Sequence, residues 1–114
     1  MSEPNIKHVT PPEAWRILNA DPRAVLIDVR CKVEHDFVGH PAGAVNVVWK
    51  DYPSGAQNPN FVAEVRAALA ARGGDDAARP ILALCRSGVR SLAAAQALAA
   101  AGYTDLTNVE QGFE

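Results

Sequence analysis

Ile81-Leu82-Ala83-Leu84-Cys85-Arg86-Ser87-Gly88-Val89-Arg90-Ser91 is the stretch that decides how this chain folds. Four apolar residues end in a cysteine, a short polar loop follows, and an Ala- and Leu-rich run from Ser91 to Ala101 begins. The pattern predicts a buried strand over 81–84, handed through a tight loop to a helix that ends at Gly102. At such a junction the loop and first-turn N–H groups have no intrahelical partners, and they converge on one spot that suits an anion. Cys85 occupies that spot, flanked by Arg86 and Arg90. Amides, helix dipole and guanidinium charge all favour thiolate over thiol. Surroundings of this kind lower a cysteine pKa from about 8.5 into the range of roughly 3.5–7.5. A lone cysteine at a strand end is by default a buried structural residue. The coincidence of strand end, glycine, two arginines and helix start favours a nucleophile here. Gly88 permits a turn that a Cβ disfavours. Ser87, Val89 and Ser91 are expected to act mainly through their backbone N–H groups, with Ser91 also capping the helix.

The same alternation runs outward in both directions. Ile6–Val9 has the length of an edge strand. Thr10-Pro11-Pro12-Glu13 reads as a helix start, with Thr10 as N-cap and Glu13 closing a capping box. Trp15, Ile17 and Leu18 supply apolar contacts, with Trp15 assigned to the core, and Asp21-Pro22 ends the helix. Ala24–Val29 is a buried strand, 33–38 one or two helical turns, 39–43 a Gly- and Pro-rich loop, and Val45–Trp49 the next strand. Asp51–Pro59 is a second loop. Phe61, Val65, Ala68 and Leu69 share one face of a helix over 60–72, which Gly73-Gly74 ends. Leu106–Val109 is a last strand. Strand and helix alternate throughout, which predicts a parallel α/β sheet with helices on both faces. Ligands of such sheets sit beyond the carboxyl ends of the strands. Cys85, Arg30 and Trp49 lie at three such ends and are expected to line one pocket.

The chain has 114 residues, 48% hydrophobic and 21% charged, with a net charge of −2. One domain with one core fits that size, and no overall field recruits nucleic acid or an acidic membrane. Two cysteines are too few for a secreted disulfide scaffold. The start, Met1-Ser2-Glu3-Pro4-Asn5, lacks the apolar core of a signal peptide, and the longest apolar stretch is far short of a membrane span. The expectation is a reduced, cytoplasmic protein. Asp28, Arg30 and Glu34 are charges beside a buried strand and need partners; an ion-pair network pinning the following loop accounts for them best. The spacing of Cys31, His35 and His40 fits no zinc pattern.

Cys85-Arg86-Ser87-Gly88-Val89-Arg90-Ser91 resembles the active-site loop of the rhodanese (sulfurtransferase) family. Leu26-Ile27-Asp28-Val29-Arg30, Glu34 and Gly39-His40-Pro41-Ala42-Gly43-Ala44-Val45-Asn46 resemble its first signature segment. Ala101-Gly102-Tyr103 and Asn108-Val109-Glu110-Gln111-Gly112-Phe113 resemble its closing segment. The resemblance implies a single rhodanese-like domain over 1–114, a three-layer α/β fold whose central parallel sheet has about five strands. It implies a thiosulfate sulfurtransferase-like enzyme in which Cys85 carries a persulfide. A small sulfur donor such as thiosulfate would load it, and a thiophilic acceptor (cyanide, a small thiol or a protein thiol) would unload it. No cofactor or metal, nucleic acid or membrane enters. Asp28, Arg30 and Trp49 are assigned to the pocket wall or to structural support, and His40 to structure. Six residues run from Cys85 to Arg90, which in families of this kind fits a sulfur-sized centre. Cysteine-based phosphatases use seven, so a phosphatase or arsenate reductase is the weaker alternative. A non-catalytic binding or sulfur-relay module is the other, and the presence of Cys85 argues against it. The family usually continues after Gly-Phe-Glu with a further helical segment, and this chain stops at Glu114. Cys31 stands after the Asp-Val-Arg segment and is expected to be an unreactive thiol.

Overall fold

Ile81–Leu84 forms a strand, β4, that is buried along its whole length at the centre of a five-stranded sheet. The computed structural model describes residues 6–32, 34–38, 43–50, 56–86 and 88–110. In chain order the elements are β1 (Ile6–Val9), α1 (Pro11–Ala20), β2 (Val25–Asp28), a π-helical turn (Glu34–Val38), β3 (Val45–Asn46), α2 (Phe61–Ala70), β4, α3 (Val89–Ala100) and β5 (Leu106–Val109). The sheet order is β1-β5-β4-β2-β3, and every pairing is parallel. Parallel neighbours need crossovers; α1, α2 and α3 lie in three of the four connections, and the π-helical turn lies in the one between β2 and β3.

Alternation along each strand sorts the side chains into two layers. Val25, Ile27, Ile81, Ala83 and Leu106 pack with Phe61, Val65 and Leu69 of α2 and with Ala94, Ala95 and Leu98 of α3. Leu26, Leu82, Leu84 and Val109 pack on the other face with Val9 and with Ala14, Ile17 and Leu18 of α1. The period that turns Ile81 and Ala83 toward α3 carries Cys85 to the same face, in the same cluster. The three-layer α/β architecture with a parallel five-stranded sheet therefore stands.

Local details differ from the sequence pattern. Trp15 is 41% exposed and leaves the core. Ala14, Ile17 and Leu18 define the inward face of α1, and Trp15, one residue on from Ala14, is rotated about 100° around the helix from it. At the start of α1, Glu13 accepts from the Thr10 N–H (3.4 Å) and from Thr10 Oγ1 (2.9 Å). Regular pairing of β3 stops after Asn46. The N–H groups of Val47 and Trp49 still donate to the carbonyls of Asp28 and Val29, but two residues on one side advance only one on the other, which breaks the ladder. Helix α3 starts at Val89, two residues before Ser91, so Gly88 is the N-cap and Ser91 lies inside the first turn. Most of the Gly39–Gly43 loop, with His40, and positions 51–55 of the second loop lie outside the described residues. No helix among the described residues is long and apolar enough to cross a membrane.

At the amino end of β4, buried Arg79 donates to the carbonyls of Arg23, Leu69, Arg72 and Gly74 at 2.6–3.1 Å. It ties the turn after α2 to the start of β2 and β4, sharing the Leu69 carbonyl with the Arg72 and Gly74 N–H groups, and places positive charge at the negative end of the α2 dipole.

Candidate active site

Cys85 follows β4 directly, and the chain then turns into α3. Gly88 makes that turn with φ +91°. A Cβ there would meet Asn108 Nδ2 at 3.7 Å and Glu110 Cα at 3.8 Å, ordinary contacts. The backbone conformation, rather than crowding, is what calls for glycine. The turn aims the Gly88 N–H at Cys85 Sγ, 3.0 Å away. The Ser91 N–H donates to the same sulfur at 3.4 Å, and Ser91 Oγ lies 3.3 Å from it. Neither Cys85 nor Ser91 has exposed surface. Backbone donors and a helix N-terminus thus surround a buried sulfur. Hydrogen bonds of this kind favour its anionic form, whereas burial favours the neutral one.

The other loop residues go different ways. Arg90 reaches the segment after β2 and grips Glu34 with both terminal guanidinium nitrogens, at 2.7 and 3.0 Å. The Arg90 hydrogen bonds hold the Glu34 carboxyl down to about 2 from its usual 4.5, against burial, and Cys31 adds to the effect. Arg90 is raised in return, first by Glu34, with smaller contributions from Cys85 and Cys31. Arg86 is exposed, as is Val89 at 72%. Ser87 lies outside the described residues.

Asp28 and Arg30 form a second, separate pair. Asp28 Oδ1 accepts from the Arg30 backbone N–H and from Nε, and Oδ2 from Nη2, at 2.8–3.0 Å. His35 Nδ1 lies 2.7 Å from the same carboxylate. Burial pushes the Asp28 carboxyl up, but the hydrogen bonds from Arg30 and His35 outweigh it and hold the group below its ordinary range. Both side chains are almost fully buried. Asp28 shares its strand face with Leu26, opposite the face that carries Cys85. Arg30 and Asp28, with His35 on the same carboxylate, therefore brace the chain after β2. Trp49 is different: it is buried in the Cys85 cluster and meets Phe61 edge-on, ring centroids 5.1 Å apart.

Cys31 is buried, and both its N–H and its Sγ lie 3.2 Å from Glu34 Oε1. Among the described residues no group of three or more His, Cys, Asp or Glu is placed to hold a metal ion.

Two asparagines that the sequence pattern passes over hold the site together. Asn46 Nδ2 donates to the carbonyls of Asp28 and Arg30 at 3.0 and 2.9 Å, tying β3 to the end of β2. Asn108, buried in β5, accepts the Ser91 hydroxyl at 2.5 Å and donates to the Gly88 carbonyl at 3.3 Å. For Asn108, a polar amide inside a fully buried strand was the available signal, because such a group must find partners.

Known proteins share this arrangement of chain. The protein Rv0390 from M. tuberculosis is 42% identical and superposes with a TM-score of 0.80, over 99% of this chain and 82% of that one. A human single-domain sulfurtransferase, TSTD1, is 25% identical with a TM-score of 0.67, over 96% and 93%. The polysulfide-sulfur transferase homodimer of Wolinella succinogenes, 23% identical, shares the fold with a TM-score of 0.64 over 94% and 69%. No curated protein matches the chain in sequence. A family model described as the rhodanese-like domain matches residues 10–114. With that match running from Thr10 to the last residue, the chain belongs to the rhodanese-like domain family.

Proposed function

We propose that this domain is a sulfurtransferase that carries a sulfane sulfur as a persulfide on Cys85. The convergence of the Gly88 and Ser91 N–H groups on Cys85 Sγ is the observation that supports this reading. In the first half-reaction the Cys85 thiolate attacks the outer sulfur of thiosulfate. A new S–S bond forms as the donor's S–S bond breaks, and sulfite leaves with the electron pair. In the second half-reaction the acceptor attacks the outer sulfur, and the thiolate returns. The cycle is covalent catalysis of the ping-pong kind, and the loop amides hold the negative sulfur in its free and loaded forms. That the family includes sulfurtransferases of one domain, such as the human protein, agrees with it.

Phosphoryl chemistry is the weaker reading. A phosphate dianion is best held by a bidentate guanidinium, and the loop's last arginine, Arg90, gives both nitrogens to Glu34. The test is intact-mass measurement after incubation with thiosulfate, beside an aryl phosphatase assay. The expected result is a gain of one sulfur atom that cyanide reverses, absent in Cys85→Ser, with negligible phosphate release. An unchanged mass would leave a binding module, and robust phosphate release would reverse the choice of chemistry.

A further inference from the structure

Ser91 carries one hydroxyl proton and stands between two groups that can accept it. Cys85 Sγ is 3.3 Å away on one side, and Asn108 Oδ1 is 2.5 Å away on the other. The orientation of the Asn108 amide follows from its surroundings. Its Nδ2 lies 3.3 Å from the Gly88 carbonyl oxygen and 3.3 Å from His8 Nδ1. Reversing the amide would set two oxygens against each other at Gly88, so the amide oxygen faces Ser91. That oxygen has no proton, and the hydroxyl must supply it. Ser91 then turns a lone pair toward the sulfur. A thiol suits that arrangement, since S–H donates to the lone pair. A thiolate does not, unless the Ser91 proton swings from Asn108 to the sulfur. All three residues are buried, so the choice is made where hydrogen bonds weigh most.

We propose that Asn108 is a positioning residue that competes with the Cys85 sulfur for the single proton of Ser91 and so sets how readily that sulfur bears negative charge. The proposal deepens the sulfur-transfer reading by naming what tunes its nucleophile, but its test reads the thiol itself. The charged groups around this triad are retained in every variant used. These are Arg90, inside the first turn of α3, with Glu34, and His8, in contact with Asn108, with Glu110 3.6 Å from it.

The experiment follows the iodoacetamide labelling rate of Cys85 against pH in a Cys31→Ser background, with the modified peptide identified by mass. Asn108→Leu frees the Ser91 proton for the sulfur. The midpoint of the labelling profile is expected to fall by roughly half to one pH unit, the difference between a hydrogen bond to a charged and to a neutral partner. Asn108→Asp keeps the acceptor and adds negative charge, so the midpoint rises. Adding Ser91→Ala abolishes the Asn108→Leu shift. A rise in Asn108→Leu, or the same shift with and without Ser91, would show that Asn108 merely supports the Gly88 turn and would overturn the proposal. If Asn108→Leu does not fold, the near-isosteric Asn108→Asp decides: its rise has to shrink when Ser91→Ala is added, and an unchanged rise overturns the competition. A protein that shows these shifts yet never gains sulfur would refute the sulfur-transfer reading and leave this one intact.

Discussion

Replacing Glu34 by Gln keeps the shape of the Arg90 contact and removes its charge. The Glu34 carboxyl is held at about 2 against an ordinary 4.5. At about 1.4 kcal/mol per pH unit, the full depression corresponds to roughly 3 kcal/mol of stabilisation at neutral pH. The two side chains keep 25% and 28% of their surface in solvent, so screening reduces the figure to about 1–2 kcal/mol. The sign follows from linkage. The folded state depresses this group, so its contribution is complete above 4.5 and is lost as pH falls from there through about 2. Urea unfolding of both proteins is the assay, run at steps from pH 7 down to pH 2. Glu34→Gln is expected to be about 1–2 kcal/mol less stable at pH 7, with the gap closing below pH 4.5 as the wild-type carboxylate takes its proton. A gap that stays constant down to pH 2 would refute the ion-pair account, because a packing defect carries no such pH dependence.

Two further substitutions test the backbone and the far end of the sheet. Gly88→Ala is expected to lose about 1–2 kcal/mol in urea unfolding, because a Cβ is strained at φ +91° although nothing blocks it, and to load sulfur more slowly. Arg79→Met strips donors from four backbone carbonyls and is expected to lower stability by about 2–4 kcal/mol, while sulfur-transfer kinetics at the opposite end of β4 stay unchanged.

The layers of this fold were legible because the central strands β2 and β4 are short apolar runs between turn signals, and a helix pattern separates most of the strands. The Cys85 junction was legible for the same reason: its strand, glycine and helix start are contiguous in sequence. Trp15 misled because its size suggests burial, whereas its angle around α1 decides. The short span of β3 depends on how Val47 and Trp49 register against β2, and nothing local encodes that. The partners of the loop arginines were out of reach too. Arg90 finds Glu34 56 positions away, and Asn108 reaches Ser91 only because β5 lies beside β4. Contacts between segments are decided by register, and sequence periodicity does not reveal register between parallel strands.

The complete burial of Cys85 has a regiochemical consequence for the proposed cycle. A persulfide offers an incoming nucleophile two electrophilic sulfur atoms. Attack on the outer one regenerates the thiolate and carries sulfur away. Attack on the inner one expels hydrosulfide and leaves the nucleophile joined to the cysteine as a mixed disulfide, a dead end for transfer. The inner atom here is Sγ, enclosed by the Gly88 turn and the first turn of α3, whereas the added sulfur projects about 2 Å farther along the S–S bond. Displacement at Sγ would have to run in line with the departing hydrosulfide, from the side opposite the added sulfur, where the protein encloses Cys85. A small donor, by contrast, meets Sγ from the side that the added sulfur then occupies. In the proposed cycle the walls of the site thus decide which of two chemically similar bonds is broken.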